Sequence, residues 1–149
     1  MRYLGIDYGE KRVGLAMSDD DGKIAFPYKI LLNNLELNDA IHNICGQEEI
    51  SAIVLGESFN SNGEKNTIMG SIEEFKKNIE WELGLPVFLE KEFMTTVHAR
   101  DLLKQASGYN SKTASSVARR RGEKKQASAD ANAATLILQR FLDRKNSNN

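Results

Sequence analysis

Asp7 sits between glycines in Gly5-Ile6-Asp7-Tyr8-Gly9, at the point where an apolar strand leaves the core. A carboxylate there is a good ligand for a hard cation, and Gly5 and Gly9 let a phosphate approach the backbone. Alone, an Asp between glycines is a turn residue. Two further acids change its meaning. Glu92 belongs to Glu90-Lys91-Glu92-Phe93-Met94-Thr95-Thr96, where carboxylates leave a strand and the pair Thr95 and Thr96 can cap a following helix. Asp130 stands in Ala-Ser-Ala-Asp-Ala-Asn-Ala-Ala, among side chains small enough for a helix to press closely against a sheet. The plainer reading of Asp130 is charge stabilisation near a helix N-terminus. Acids on three separate elements can converge on Mg2+ or Mn2+, cations that take carboxylates together with water and phosphate oxygens. Such ions activate an attacking water and stabilise the leaving oxygen in phosphodiester cleavage, and no Ser, His or Cys nucleophile is needed. His42 and His98 lie in helical patterns without metal-ligand spacing, and Cys45, the only cysteine, reads as a small buried hydrophobe.

The elements that must position these acids follow from periodicity. Arg2 to Asp7 and Arg12 to Ser18 are apolar strands joined by the turn Gly9-Glu10-Lys11, and after Asp19-Asp20-Asp21-Gly22 extended character resumes from Ile24 to Leu32. Pro27 marks that third strand as an edge or the site of a bulge. Leu35, Leu37, Ile41 and Ile44 recur at helical spacing behind the cap candidates Asn33-Asn34, with Gly46 closing the helix. Ile50 to Leu55, bounded by Gly56, is a strand buried on both faces. Ile68, Ile72, Phe75 and Ile79 give a second helix stopped by Gly84, and Leu85 to Leu89 a fifth strand. A helical pattern starts at Thr95 and runs through Leu103, and a last helix runs from Ala129 through Phe141. The expected fold class is α/β: a mixed five-stranded sheet, three antiparallel N-terminal strands and then two parallel ones, flanked by helices.

At 149 residues the chain suits one domain, set at 1–145 with a disordered tail at 146–149. Hydrophobic residues at 40% and charged residues at 28% exclude a disordered or fibrous protein. A single cysteine allows no intrachain disulfide, no export signal opens the chain, and no apolar run is long enough to span a membrane, so a cytoplasmic protein is expected. The net charge of −1 conceals a division: residues 1–99 hold 9 Lys+Arg against 17 Asp+Glu, and residues 100–149 hold 11 against 4. A basic segment on an acidic body suits a protein that grips polyanions with one part and does cation-dependent chemistry with another; the plainer reading is a solvated basic helix face. Residues 107–128, nearly free of large apolar groups, read as a loop that carries Arg119, Arg120, Arg121, Lys124 and Lys125.

A family resemblance enters at these residues. The run Gly-Ile-Asp-Tyr-Gly-Glu-Lys-Arg-Val-Gly-Leu-Ala from residue 5, Glu92 with Thr95-Thr96, and Asp-Ala-Asn-Ala-Ala-Thr-Leu-Ile-Leu-Gln-Arg-Phe-Leu-Asp from residue 130 resemble the YqgF/RuvX proteins, in the family's order and spacing. The resemblance implies a ribonuclease H-like fold and a metal-dependent endonuclease acting on structured nucleic acid, with 5′-end processing of pre-16S ribosomal RNA as its activity and Holliday junction resolution as the alternative. Asp7, Glu92 and Asp130 would be the catalytic acids and the ligands of Mg2+ or Mn2+. Lys11, Arg12 and the basic loop would hold pre-rRNA or branched DNA, and a second copy of the chain is an admissible partner. The chain also departs from the pattern. The family's Asp-Glu-Arg is here Lys91-Glu92-Phe93, one acid and one arginine fewer, and its Gly-Leu-Pro is Gly56-Glu57-Ser58. Glu57 is therefore either a replacement ligand or a solvated loop carboxylate. The hairpin also resembles the phosphate loop of two-lobed actin-like ATPases, but 149 residues supply one lobe only. A nucleic-acid-binding domain without catalysis, suggested by Lys91 and Phe93, is the remaining alternative.

Overall fold

Tyr3, Leu4 and Ile6 each expose 1% or less of their surface, so the strand that holds them has no solvent-facing side and must be central. In the computed structural model, which describes residues 1–59, 67–93 and 123–149, that strand is β1 (Arg2–Tyr8). It pairs antiparallel with β2 (Arg12–Ser18), which pairs antiparallel with β3 (Ala25–Leu32). On its other side β1 pairs parallel with β4 (Ile50–Phe59), and β4 with β5 (Val87–Phe93), giving the order β3-β2-β1-β4-β5. This is the mixed sheet expected from the sequence. Pro27 lies on the edge strand and beside a bulge, because Leu15 faces Lys29 whereas Ala16 faces Pro27.

Period-two alternation sorts the side chains onto two faces. Leu4, Ile6, Val13, Leu15, Ile53 and Leu55 pack with α1 (Leu37–Gln47) and α2 (Met69–Leu83). Tyr3, Ala16, Ala52 and Val54 pack with Ala134, Ile137, Leu138 and Phe141 of α3 (Glu123–Ser147). No helix of the described residues is long and apolar enough to cross a membrane.

Several boundaries differ from the sequence-based expectation. Strand β4 does not stop at Gly56 but continues to Phe59, and β5 runs from Val87 to Phe93, since the two strands stay paired through Glu57 opposite Lys91 and Phe59 opposite Phe93. Helix α1 begins at Leu37. Asn34 builds the turn before it, its Oδ1 accepting the Glu36 N–H at 3.0 Å. Gly46 lies inside α1, and the chain leaves the helix through Glu49, whose φ of 53° is left-handed. Gly84 does stop α2, with φ 64° and its N–H on the Glu80 carbonyl. Residues 123–128, expected as loop, are the first turns of α3: Glu-Lys-Lys-Gln-Ala-Ser are adequate helix formers even without an apolar face. The expected tail is also shorter, because α3 reaches Ser147 and Asn146 donates to the Gly22 carbonyl at 3.1 Å. The helical pattern expected from Thr95 to Leu103 and the basic loop up to residue 122 lie outside the described residues.

Two substitutions of the same kind have opposite expected signs. A Cβ on Gly5 would stand 2.7 Å from Leu138 Cβ and 3.1 Å from the Ala134 carbonyl oxygen, so Gly5→Ala forces α3 off the sheet. A loss of about 1–3 kcal/mol is expected in urea unfolding. At Gly46 a Cβ meets nothing within 4 Å, and Gly46→Ala should gain up to about 1 kcal/mol from helix propensity. Cys45 gives a pH test. It is buried in the α1 core, and desolvation pushes its thiol up to about 11. The folded form thus keeps its proton where the unfolded thiol ionises near pH ~8.5, so this contribution to stability is complete below that pH and declines as pH rises toward 11. Alkylation at pH ~8.5 should be slow in native buffer and fast in urea; equal rates would mean that Cys45 is accessible.

Candidate active site

The carboxylate of Asp7 emerges at the carboxyl end of β1, next to strands that present no side chain beside it. Asp7 faces Gly14 across the antiparallel pair. On the parallel side Ile6 faces Leu55, so the position beside Asp7 is Gly56, and Gly56 in turn faces Glu90. Gly14 and Gly56 thus form a glycine cradle beside Asp7, whereas Gly5, two residues before it on the same face, is covered by α3. A half-buried carboxylate at the end of a strand, with glycine at the facing position on each neighbouring strand, suits a hard cation.

Helix α3 roofs this face. Ala134 and Leu138 lie over Gly5, whereas Phe141 meets Tyr3 at 5.7 Å between ring centroids. Going from Tyr3 to Gly5 to Asp7 along β1 therefore means going backward along α3, and one turn before Ala134 is Asp130. Glu92 is on β5, opposite Ser58, two residues beyond Glu90. The backbone thus carries Asp7, Glu92 and Asp130 on three elements of one neighbourhood; the side chains of Glu92 and Asp130 lie outside the described residues. Among the described residues no three His, Cys, Asp or Glu side chains gather as a metal site.

Glu57 is placed differently from Asp7. Ile53 and Leu55 belong to the core under α1 and α2, and Glu57 continues their parity along β4. That is the face of the sheet opposite to Asp7 and α3. Sequence reasoning passed over Glu90, which shares the parity of Phe88 on the α3 side. It is only 4% exposed; its Oε2 lies 2.5 Å from Arg144 Nη2, and its Oε1 accepts from Arg144 Nη1 at 3.2 Å. The available clue was the alternation Phe88, Glu90 against a helix ending in Arg144, but it has meaning only once α3 is known to cover β5.

The turn between β1 and β2 is fixed from outside. Asn33 Nδ2 donates to the Gly9 carbonyl at 2.8 Å, and the Asn33 N–H donates to the Lys11 carbonyl at 2.9 Å. A Cβ at Gly9 would stand 2.4 Å from the Arg12 carbonyl oxygen, so only glycine closes this turn. Lys11 is thereby presented to solvent at the turn, and Arg12 is half-buried at the start of β2. Lys124 and Lys125 belong to the first turn of α3 rather than to a loop. Arg119, Arg120, Arg121, Thr95, Thr96 and His98 lie outside the described residues, and His42 is an exposed residue of α1.

The sequence and the fold are both similar to those of known proteins. Residues 1–144 match the family described as RuvX: Holliday junction resolvase. A protein of Maridesulfovibrio salexigens that carries the name "Putative pre-16S rRNA nuclease" is 32% identical over 97% of this chain and 99% of its own length. A protein of the same name from Mycoplasma mobile is 33% identical, covering 96% of this chain and 92% of its own. In fold, the chain is similar to Thermus thermophilus RuvC, with a TM-score of 0.54 at 17% identity over 98% of this chain and 97% of that one. It is also similar to the Fowlpox virus resolvase solved with Holliday junction DNA, with a TM-score of 0.58 at 13% identity over 95% and 99% of the two chains. With its sheet order, its roofing helix and its match over residues 1–144, the chain belongs to the RuvX family and has the RuvC-like ribonuclease H fold.

Proposed function

We propose that this protein is a metal-dependent endonuclease that hydrolyses phosphodiester bonds in structured nucleic acid, with the 5′ end of pre-16S rRNA as substrate. The observation that carries the reading is Asp7 in its glycine cradle at the end of the central strand, beneath the helix that bears Asp130. The relatives' name supports the RNA substrate. Asp7, Glu92 and Asp130 are the residues assigned to hold Mg2+ or Mn2+, a hard cation for which carboxylate oxygens are the fitting donors. When bound, such a cation supplies charge for the developing phosphorane and acidifies a water. The protein's share is to hold the acids apart on separate rigid elements. Gly14 and Gly56 leave the flanks of Asp7 without side chains, and Lys11, Arg12, Lys124 and Lys125 with the arginines 119–121 attract the polyanion. Glu57, on the other face of the sheet, is assigned no part. A cytoplasmic site of action goes with this substrate.

A second reading has its own support: the family is described as a Holliday junction resolvase, and the Fowlpox neighbour was solved on a four-way junction. Pre-rRNA 5′-end fragments and four-way DNA junctions, each incubated with Mg2+, Mn2+ or chelator, separate the two. The proposal expects cation-dependent cleavage of the RNA in preference to the junction. Binding of both without cleavage under any cation would leave a binding domain and end the nuclease reading.

Asp7→Asn keeps the shape of the side chain and removes its charge. Cleavage should fall by at least about 100-fold with the melting temperature and nucleic-acid affinity nearly unchanged, since removing one well-placed electrostatic contact costs on that order. Retained metal-dependent cleavage would remove Asp7 from the centre. Replacing Arg119, Arg120 and Arg121 together with Ala should weaken RNA binding and flatten its salt dependence by up to about three phosphate contacts, equally across sequences of one shape. An unchanged salt slope would make that segment a solvated linker.

A further inference from the structure

We propose that the Glu90–Arg144 ion pair is a positioning device for the proposed metal centre: it fixes the end of β5, and so position 92, against α3, the helix that carries position 130. The inference rests on the reading of the site given above. Arg144 keeps 58% of its side chain exposed and Glu90 only 5%. A carboxylate buried in this way needs a reason, because its desolvation offsets much of the attraction and an apolar residue would serve stability as well. Glu90 is nearly fully buried, and its neighbours on that face include Phe88 and Phe141, whose rings stack at 5.2 Å and would accept an apolar residue at position 90. Its Oε2 has no hydrogen-bond partner among the described residues and is compensated by the charge of Arg144 alone, 2.5 Å away.

What the pair supplies is a defined location. Among the described residues strand β5 is the edge of the sheet with β4 alone beside it, so its position there depends on what ties it to α3. The stacked rings tie the two elements without direction, whereas the Arg144 Nη1 hydrogen bond to Oε1, with the Nη2 charge beside Oε2, fixes distance and angle. Glu90 occupies the same row as Gly56 and Asp7, and position 92 follows two residues later. The pair therefore sits where a shift of β5 would change the spacing of the acids. Arg144 engages both carboxylate oxygens, so Glu90 acts through the strand and not on the cation.

The test uses the full chain, Mn2+ binding read from the spectrum of the free ion, and backbone hydrogen exchange over residues 87–93. Arg144→Met keeps the stem and removes the fork. It should weaken Mn2+ binding about 10-fold, as loss of an outer-shell partner does, and speed exchange at 87–93 while core peptides from β1 are unchanged. Arg144→Lys should recover part of both. The double variant Glu90→Leu with Arg144→Met should regain thermal stability without regaining Mn2+ affinity. Wild-type affinity and exchange in Arg144→Met would overturn the proposal. So would Glu90→Gln losing Mn2+ as completely as Asp7→Asn with exchange at 87–93 unchanged, which makes Glu90 a ligand. Mn2+ binding lost in Asp7→Asn but untouched in Arg144→Met overturns this inference alone; no Mn2+ binding by the wild type overturns the metal reading and this role with it.

Discussion

The rest of the structure depends on how closely α3 lies on β1. Over Gly5 the helix comes so near that a single methyl group would overlap Leu138, and the helix answers with Ala134 at the same level. Small residues on both sides make the contact short, and short contacts between rigid elements fix angles. From this point α3 is held along its length: Phe141 on Tyr3 and Phe88, Gln139 across the start of β3, and Asn146 on the Gly22 carbonyl. Gln139 stands in for a strand, its Oε1 accepting the Ala25 N–H at 2.8 Å and its Nε2 donating to the Lys23 carbonyl at 3.0 Å. Each of these contacts is remote from Asp130, yet together they determine where that helix turn falls relative to Asp7.

The two faces of the sheet carry different duties. Under α1 and α2 the side chains are large and aliphatic, and the core there is continuous from Val13 to Val87. Under α3 the residues are smaller: Ala134 and Leu138 close over Gly5, and beyond it Gly14 and Gly56 flank Asp7. That end of the sheet offers no side chain beside Asp7 to pack, a local departure from good packing of the kind expected at functional sites.

The strands and their order were legible in the sequence because each had a direct physical mark: unbroken apolar runs for β1 and β4, Gly84 after α2, and Pro27 for the edge and bulge of β3. Ends defined by polar residues were not. The pairing of β4 with β5 beyond Gly56 is held by backbone hydrogen bonds, which leave no trace in hydrophobicity. The start of α3 was hidden for the same reason, since its first turns are helical by propensity and carry no apolar stripe. In the proposed site, the position of Asp7 at the end of β1 was legible from its glycines, whereas the placements of Glu57 and Glu90 were not, because they depend on strand parity and on a helix more than fifty residues away in the chain.

Parity also bears on the acid that this chain lacks where its family has Asp-Glu-Arg. Two carboxylates lie nearby, and neither takes its place. Glu57 points along the face of Ile53 and Leu55, so reaching Asp7 would require passing through the sheet. Glu90 is on the right face, but its carboxylate is paired with Arg144, Oε1 by a hydrogen bond and Oε2 by charge. Mg2+ commonly accepts one or two carboxylates and completes its shell with water and substrate oxygens, so the proposed set of Asp7, Glu92 and Asp130 needs no fourth acid. Lys91, opposite Glu57 on β4, continues the parity of Val87 and Leu89, so the cation that stands where the family has an acid also falls on the α1 and α2 face and not beside Asp7.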